Sequence, residues 1–265
     1  MAKPRPSDAA VEQRRQEILR TVIDLGEVRI DDLTGRFGVS LMTMHRDLDD
    51  LADRRLLRKL RGRVAAYPAL TMETAKRFRE GLHLAQKEAL CAAAIHEVSP
   101  GQTVFLDDST TLFPLARRLT ELEHLVLVTN SLEIARIVGE DRGTSEVILL
   151  GGRYTEFDSC SGPDVLATLG RIRADLGFVS ATTVAGGRLY HPVRDYAELK
   201  QAALAAANRN ILLADRSKFG RTATYAYGDV GDYDLVIVDD AAPEEEIDAM
   251  RTFDTRIQLV GSSGT

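Results

Sequence analysis

Residues 26–62 read GEVRIDDLTGRFGVSLMTMHRDLDDLADRRLLRKLRG, and their apolar spacing decides the N-terminal architecture. Ile30, Leu33 and Phe37 recur at helical intervals, with Arg29–Asp31 placed to cap the start and Gly38 to stop it. Only Gly38, Val39 and Ser40 separate this stripe from the next. There Ser40 is a natural N-cap, and Leu41, Met44, Leu48 and Leu51 fall at i, i+3, i+7 and i+10, expected to face inward. Upstream, EQRRQEILRTVIDL (12–25) puts Ile18, Val22 and Leu25 on one face and ends at Gly26. Downstream, Leu57, Leu60 and Val64 do not continue an amphipathic helix, and Gly62 offers a turn between two short extended arms. Three short helices with a tight joint, followed by a hairpin, predict a winged helix-turn-helix. Other three-helix bundles share the bare pattern.

Charge supports the reading. The chain of 265 residues carries a net −6, but residues 1–70 hold 14 Lys+Arg against 11 Asp+Glu, and the remainder holds 20 against 29. Six basic residues (Arg54, Arg55, Arg58, Lys59, Arg61, Arg63) and one acid, Asp53, fall within 51–63. A basic patch on an acidic body suits a protein whose small end touches phosphates, although a solvated charged face has the same composition. With the apolar stripe inward, the second helix of the motif presents Met42, Thr43, His45, Arg46 and Asp49. Arg46 and His45 are suited to guanine edges or phosphate, and Met42 and Thr43 to a thymine methyl. Ser40 offers its hydroxyl and backbone N–H groups to phosphate, and Lys59, Arg61 and Arg63 of the wing to the DNA backbone or minor groove.

These letters resemble the DeoR family of bacterial regulators, whose recognition helix reads S-x-x-T-[IV]-R-R-D-L before a basic wing. Ser40, Thr43, Met44, Arg46, Asp47 and Leu48 match that pattern. His45 stands in place of the first family arginine, and Gly62-Arg63 in place of the usual Gly-Gly. The resemblance implies a DNA-binding domain over about 12–67, with the helix-turn-helix near 28–47.

Residues 71–98 favour a connecting helix, which Ser99-Pro100-Gly101 breaks. Thereafter TVFLD (103–107), LVLVT (125–129), VILLG (147–151), LGFVS (176–180), NILLAD (210–215), DLVIVDD (234–240) and RIQLV (256–260) alternate with helical patterns such as LFPLARRL, LEIARIV and ELKQAALAAAN. Apolar strands alternating with helices predict an α/β domain with a largely parallel sheet. It is expected over 85–240, followed by a C-terminal helix, strand and tail (241–265).

Three strand ends carry ligand-type chemistry. The first strand ends in Asp107, Asp108, Ser109, Thr110 and Thr111, the second in Thr129, Asn130 and Ser131, and the third in Gly151 and Gly152. Hydroxyls before a helix favour an anion, and glycines let backbone approach a ligand. Helix capping alone explains each loop taken singly. Such ends converge at the carboxyl edge of a parallel sheet.

Here too the segments resemble the DeoR sensor domain, which shares its fold with ribose-5-phosphate isomerase and coenzyme A transferases. That implies a phosphosugar effector near the 107–111 and 129–131 loops, with Asp108 and Ser109 departing from the family's D-[ST]-G-T-T. Lys200, in ELKQA, matches the lysine of the family's E-x-x-x-K-x-x-[ML] region, which implies a cation that reaches an anionic ligand. Leu213, Asp215, Ser217, Lys218 and Phe219 match L-x-D-x-S-K-F. Lys218 is ligand-directed on this reading, or else half of an Asp–Lys pair.

The expectation is a cytoplasmic, sequence-specific DNA-binding transcription regulator, a repressor of a sugar-metabolism operon controlled by a phosphorylated sugar. Its partners are double-stranded DNA, the effector and a second copy of itself, without cofactor, metal or membrane. The alternative is a sugar-phosphate isomerase or transferase with a fused nucleic-acid module, for which Asp107, Asp108 and Lys200 supply base and cation. Against catalysis, ADLGFVSATTVAGG (174–187) offers only Ser and Thr at its strand end. Cys91 and Cys160 lack metal spacing, as do the five histidines, and no stretch is apolar enough for a membrane span or signal. His191 reads as packing more readily than as pocket lining.

Overall fold

The structure, a computed structural model, describes residues 8–53, 56–66, 83–140, 145–155 and 157–261. Arg54, Arg55, the 71–82 part of the expected connecting helix and all but the first residue of the GSSGT tail lie outside them. The chain divides into two compact units, Met1–Arg79 and Glu80–Thr265.

In the first unit α1 (Asp8–Leu25), α2 (Ile30–Phe37) and α3 (Leu41–Asp53) pack around Ile18, Leu19, Val22, Leu33, Met44, Leu48 and Leu51. Gly38 ends α2 at φ 60°, a left-handed conformation that costs glycine least, and so sets the sharp joint before α3. A strand that the sequence reading lacked, β1 (Glu27–Arg29), pairs antiparallel with β3 (Arg63–Ala66), which pairs with β2 (Leu57–Leu60). The wing is therefore a three-stranded sheet closed at Arg61-Gly62, not a free hairpin. Three expectations fail here. Leu25 is exposed at the end of α1, Leu41 is exposed in the first turn of α3, and the α2 N-cap Arg29 makes no side-chain capping bond. An arginine lacks the acceptor a cap requires.

The second unit is built on seven parallel strands in the order β15-β14-β12-β9-β4-β5-β6. The strands are β4 (Thr103–Leu106), β5 (Val126–Thr129), β6 (Glu146–Leu149), β9 (Ala174–Ser180), β12 (Ala207–Ala214), β14 (Leu235–Asp239) and β15 (Arg256–Val260). Alternate residues serve opposite cores. Val104, Leu106, Phe178 and Leu213 face a layer containing α4 (Leu84–Ala94), α5 (Phe113–Leu119) and α6 (Leu132–Glu140). Phe105, Val179, Leu212 and Val238 face α7 (Pro163–Leu169), α8 (Arg194–Ala206) and α9 (Glu244–Met250). Two buried faces explain why these strands read as continuous apolar runs.

Residues 84–94, where the expected connecting helix overlaps the expected α/β domain, belong to this core through Leu90, Cys91 and Ala94. Two small antiparallel sheets complete the unit: β7 (Arg153–Tyr154) with β8 (Cys160–Ser161), and β10 (Thr183–Ala185), β11 (Arg188–His191) and β13 (Tyr225–Asp229). Strands β4, β5 and β6 run outward to one side. The chain then returns to place β9 on the other side of β4. The topological switch point lies between β4 and β9, where open α/β sheets take their ligands. No helix among the described residues is long and apolar enough to cross a membrane.

Candidate functional sites

The exposed face of α3 carries Leu41, Met42 and Arg46, with His45 half-buried beside them and Asp49 further along. Ser40 caps the helix: its Oγ accepts from Thr43 N at 3.2 Å and lies 2.9 Å from Thr43 Oγ1. Arg46 Nη2 donates to Met42 Sδ at 3.9 Å. On the wing, Lys59 pairs with Asp49 at 2.5 Å and Arg63 with Glu27 at 2.9 Å, while Arg61 sits exposed at the turn. Exposed pairs of this kind are worth about 0–1 kcal/mol, so a phosphate can displace the carboxylates at small cost.

Asp47, in sequence only a match to the family pattern, is a structural anchor of α3. It is 2% exposed and accepts from Arg14 Nε at 2.7 Å and Arg15 Nε at 3.0 Å, and Arg15 also reaches Asp50 at 3.0 Å. This cluster fixes the roll of α3 against α1, and with it the direction in which Arg46 points. An acid among inward-facing apolar positions, opposite an Arg-Arg pair, was the available signal.

At the switch point of the second unit, Lys200 of α8 donates to Asp107 Oδ2 and, at 2.8 Å, to the Ser180 carbonyl. Ser180 N donates to the same carboxylate oxygen at 3.1 Å, and Ser109 N to the other at 3.0 Å. All of this is sealed: Asp107 is 0% and Lys200 4% exposed. Lys200 is therefore committed to joining the ends of β4 and β9, and its charge is already balanced. A different lysine meets the loop. Lys87 of α4, buried, donates to Thr110 Oγ1 at 3.0 Å. Lying 23 residues upstream in a segment read as connector, it escaped the sequence analysis. Beside it the Cys91 thiol donates to the Thr111 carbonyl at 3.0 Å, and burial pushes that thiol up to about 12, so it stays protonated.

Capping uses several predicted hydroxyls. Ser109 Oγ accepts from Thr111 N (3.3 Å), Thr129 Oγ1 from Ser131 N (3.0 Å) and Ser131 Oγ from Ile134 N (3.3 Å). A hydroxyl that accepts from a backbone N–H still has its own proton to donate. Asn130 Nδ2 donates to the Cys160 carbonyl at 3.1 Å, while its buried Oδ1 finds no hydrogen bond among the described residues. A second polar cluster, also unforeseen, surrounds Asp108. Ser159 Oγ donates to Asp108 at 2.9 Å and meets Tyr196 OH at 2.7 Å, and Tyr196 OH meets Thr155 Oγ1 at 2.6 Å. Burial, then the charge of Asp108, pushes Tyr196 up to about 12, which keeps it a neutral donor.

Gly151 is exposed, and the close approach at Gly152 is made by Val165 and the Ser161 carbonyl, 2.7 and 3.0 Å from where a Cβ would sit. Asp215 is buried; burial raises its carboxyl, but the Lys218 charge and bonds from Ser217 outweigh that and leave it below the usual range. Lys218 thus serves Asp215 as an electrostatic partner. His191 is buried beside Tyr196, ring centroids 5.4 Å apart, with Nδ1 3.0 Å from Val193 N. No three His, Cys, Asp or Glu side chains among the described residues cluster as metal ligands.

Residues 82–240 match the DeoR C terminal sensor domain and residues 14–68 the DeoR-like helix-turn-helix domain. The chain belongs to the DeoR family. Among the relatives of this DeoR-family chain is an uncharacterized HTH-type transcriptional regulator, YgbI, of Escherichia coli K12, 31% identical over 88% of this chain and 91% of its own length. The Glycerol-3-phosphate regulon repressor of the same organism is 29% identical over 93% and 98%. A D-ribose-5-phosphate isomerase structure aligns over 51% of this chain and 53% of its own at 14% identity and TM-score 0.38, a likeness that carries no functional inference.

Proposed function

We propose that this DeoR-family chain is a cytosolic, sequence-specific DNA-binding repressor of a sugar-metabolism operon, governed by a phosphorylated sugar or polyol. The α3 face and the wing bind the operator through Ser40, Met42, Thr43, His45, Arg46, Lys59, Arg61 and Arg63. One such unit reads a half-site, so the working form is a homo-oligomer with half-sites about 10 base pairs apart or a multiple of that. The effector lies across the switch point, its phosphate toward Lys87, Thr110, Thr111 and Ser109. Its hydroxyls lie toward Thr129, Asn130, Ser131 and Asp108.

The observation that carries the effector assignment is the buried Lys87 ammonium on Thr110 Oγ1, in a loop whose neighbouring hydroxyls keep protons to donate. The relative named for a glycerol-3-phosphate regulon supports a small phosphate ester as the class. Binding without catalysis is supported by Lys200 and Asp107, which neutralise each other and leave neither as a base or electrophile.

The test is selection of duplexes from a randomised pool by the full chain, then fluorescence anisotropy of the selected duplex against a panel of sugar and polyol phosphates. A palindromic site whose affinity shifts tenfold or more with one phosphate is expected. Enrichment of no duplex, or affinity unmoved by every phosphate, contradicts the proposal. Isomerase turnover that disappears in Lys200→Ala would overturn its non-catalytic part.

A further inference from the structure

The first turn of α3 is apolar and exposed: Met42, expected to face outward, is 68% exposed, and Leu41, expected to face inward, is 49% exposed. Neither belongs to the core, which Met44, Leu48 and Leu51 supply. Along the helix, residues 41, 42, 45, 46 and 49 share one face, so the two apolar side chains lead directly into His45 and Arg46. The face has cationic flanks. Lys59 is tied to it through Asp49, and Arg61 and Arg63 stand exposed on the same wing. An apolar tip bordered by cations is unsuited to an apolar protein groove and complementary to DNA, whose major groove offers one apolar group, the C5-methyl of thymine.

We infer that Leu41 and Met42 together form an apolar reading tip that packs on thymine methyls in each operator half-site. This rests on the DNA-binding reading above and adds the base class that it recognises. The geometry also adds a reader. Thr43 N and Oγ1 are engaged with Ser40 at the cap, which leaves Thr43 only its methyl group to offer. The exposed Leu41 joins Met42 in the apolar surface. The Met42 thioether holds the Arg46 guanidinium. Residues four apart on a helix are about 6 Å apart along its axis, close to two base-pair steps. A guanine taken by Arg46 therefore lies within about two base pairs of the thymine covered by Met42.

The experiment replaces each thymine of the selected duplex, one symmetric pair at a time, by deoxyuridine, which lacks only the methyl group. For the wild-type chain one or two positions per half-site should lose about fourfold in affinity per methyl, the burial value of one methyl group. The Leu41→Ala/Met42→Ala variant should bind the unmodified duplex more weakly and show a flat deoxyuridine scan. Arg46→Ala should keep the wild-type pattern of sensitivity. Both side chains are exposed, so the variants should melt with the wild type. A flat scan in the wild type, or an unchanged scan in the double variant, overturns the inference while DNA binding stands. A double variant that changes oligomeric state and keeps the wild-type scan assigns the tip to a protein contact and also overturns it. Enrichment of no duplex at all overturns the DNA-binding reading, and the inference falls with it.

Discussion

The two units handle charge in opposite ways. On the α3 face and wing, Arg46, Arg61 and Arg63 are exposed, and the acids that pair with Lys59 and Arg63 are exposed and exchangeable. In the second unit Lys200, Asp107 and Asp215 are buried and committed to named partners, and Lys87 is buried with its ammonium on the Thr110 hydroxyl. The first arrangement keeps cations available for phosphates at little cost to stability. The second spends burial on geometry, because a charge sealed from water persists only where its partners are fixed. DNA contact and ligand selectivity need these different arrangements: one must bind many phosphates along a rod, the other must define a single shape.

The largest test of this contrast is Lys200→Met. It leaves Asp107 buried without its cation, and should cost the second unit about 3–5 kcal/mol, read as a lowered unfolding midpoint in calorimetry. A loss under about 1 kcal/mol would show that the pair is not sealed as described. Next, Asp47→Ala removes the acceptor of Arg14 and Arg15. We expect a loss of about 1.5–3 kcal/mol in the first unit, with operator affinity falling more than any direct contact explains. If stability holds, Asp47 does not set the roll of α3. Arg46→Ala should weaken operator binding by about 1–3 kcal/mol with no change in melting, measured by anisotropy.

Smaller effects follow. The Asp215 carboxyl lies below its usual range when folded, so it contributes stability above the unfolded value near 4 and loses it as pH falls through the folded value. Lys218→Met removes the charge that lowers it, so the folded value rises and the acid-unfolding midpoint should move to higher pH. An unmoved midpoint would separate Lys218 from Asp215. Lys59→Ala should lower affinity evenly across sequences and reduce the salt slope of log K by about one, as loss of a single phosphate contact does.

Much of the first unit was legible because its signals are local: Gly38, Ser40 and the Met44–Leu48–Leu51 stripe lie within fourteen residues of one another. Leu41 was misread because periodicity places a residue on a helix face without showing where the neighbouring helices end. The parallel sheet was legible from its apolar runs, whereas β7–β8 are two residues each and β11 (RLYH) and β13 (YAYGD) mix polar residues, charges and glycine into a half-exposed sheet. The site was less legible than the fold. Asp107 and Lys200 meet across 93 residues and Lys87 and Thr110 across 23. A reading that treats each loop separately finds the hydroxyls but not the buried Lys87 that meets one of them.

The central claim is that the exposed and the sealed charge sets serve two ligands of one chain. It is tested most directly by titrating the selected duplex with the full chain, with and without the sugar phosphate giving the largest thermal shift. The measurement is repeated with Thr110→Ala/Thr111→Ala. The account predicts that the phosphate changes duplex affinity at least tenfold in the wild type, and that the double variant binds the duplex normally and no longer responds. Equal duplex affinity with and without every phosphate in the panel, or a double variant that responds like the wild type, would contradict it.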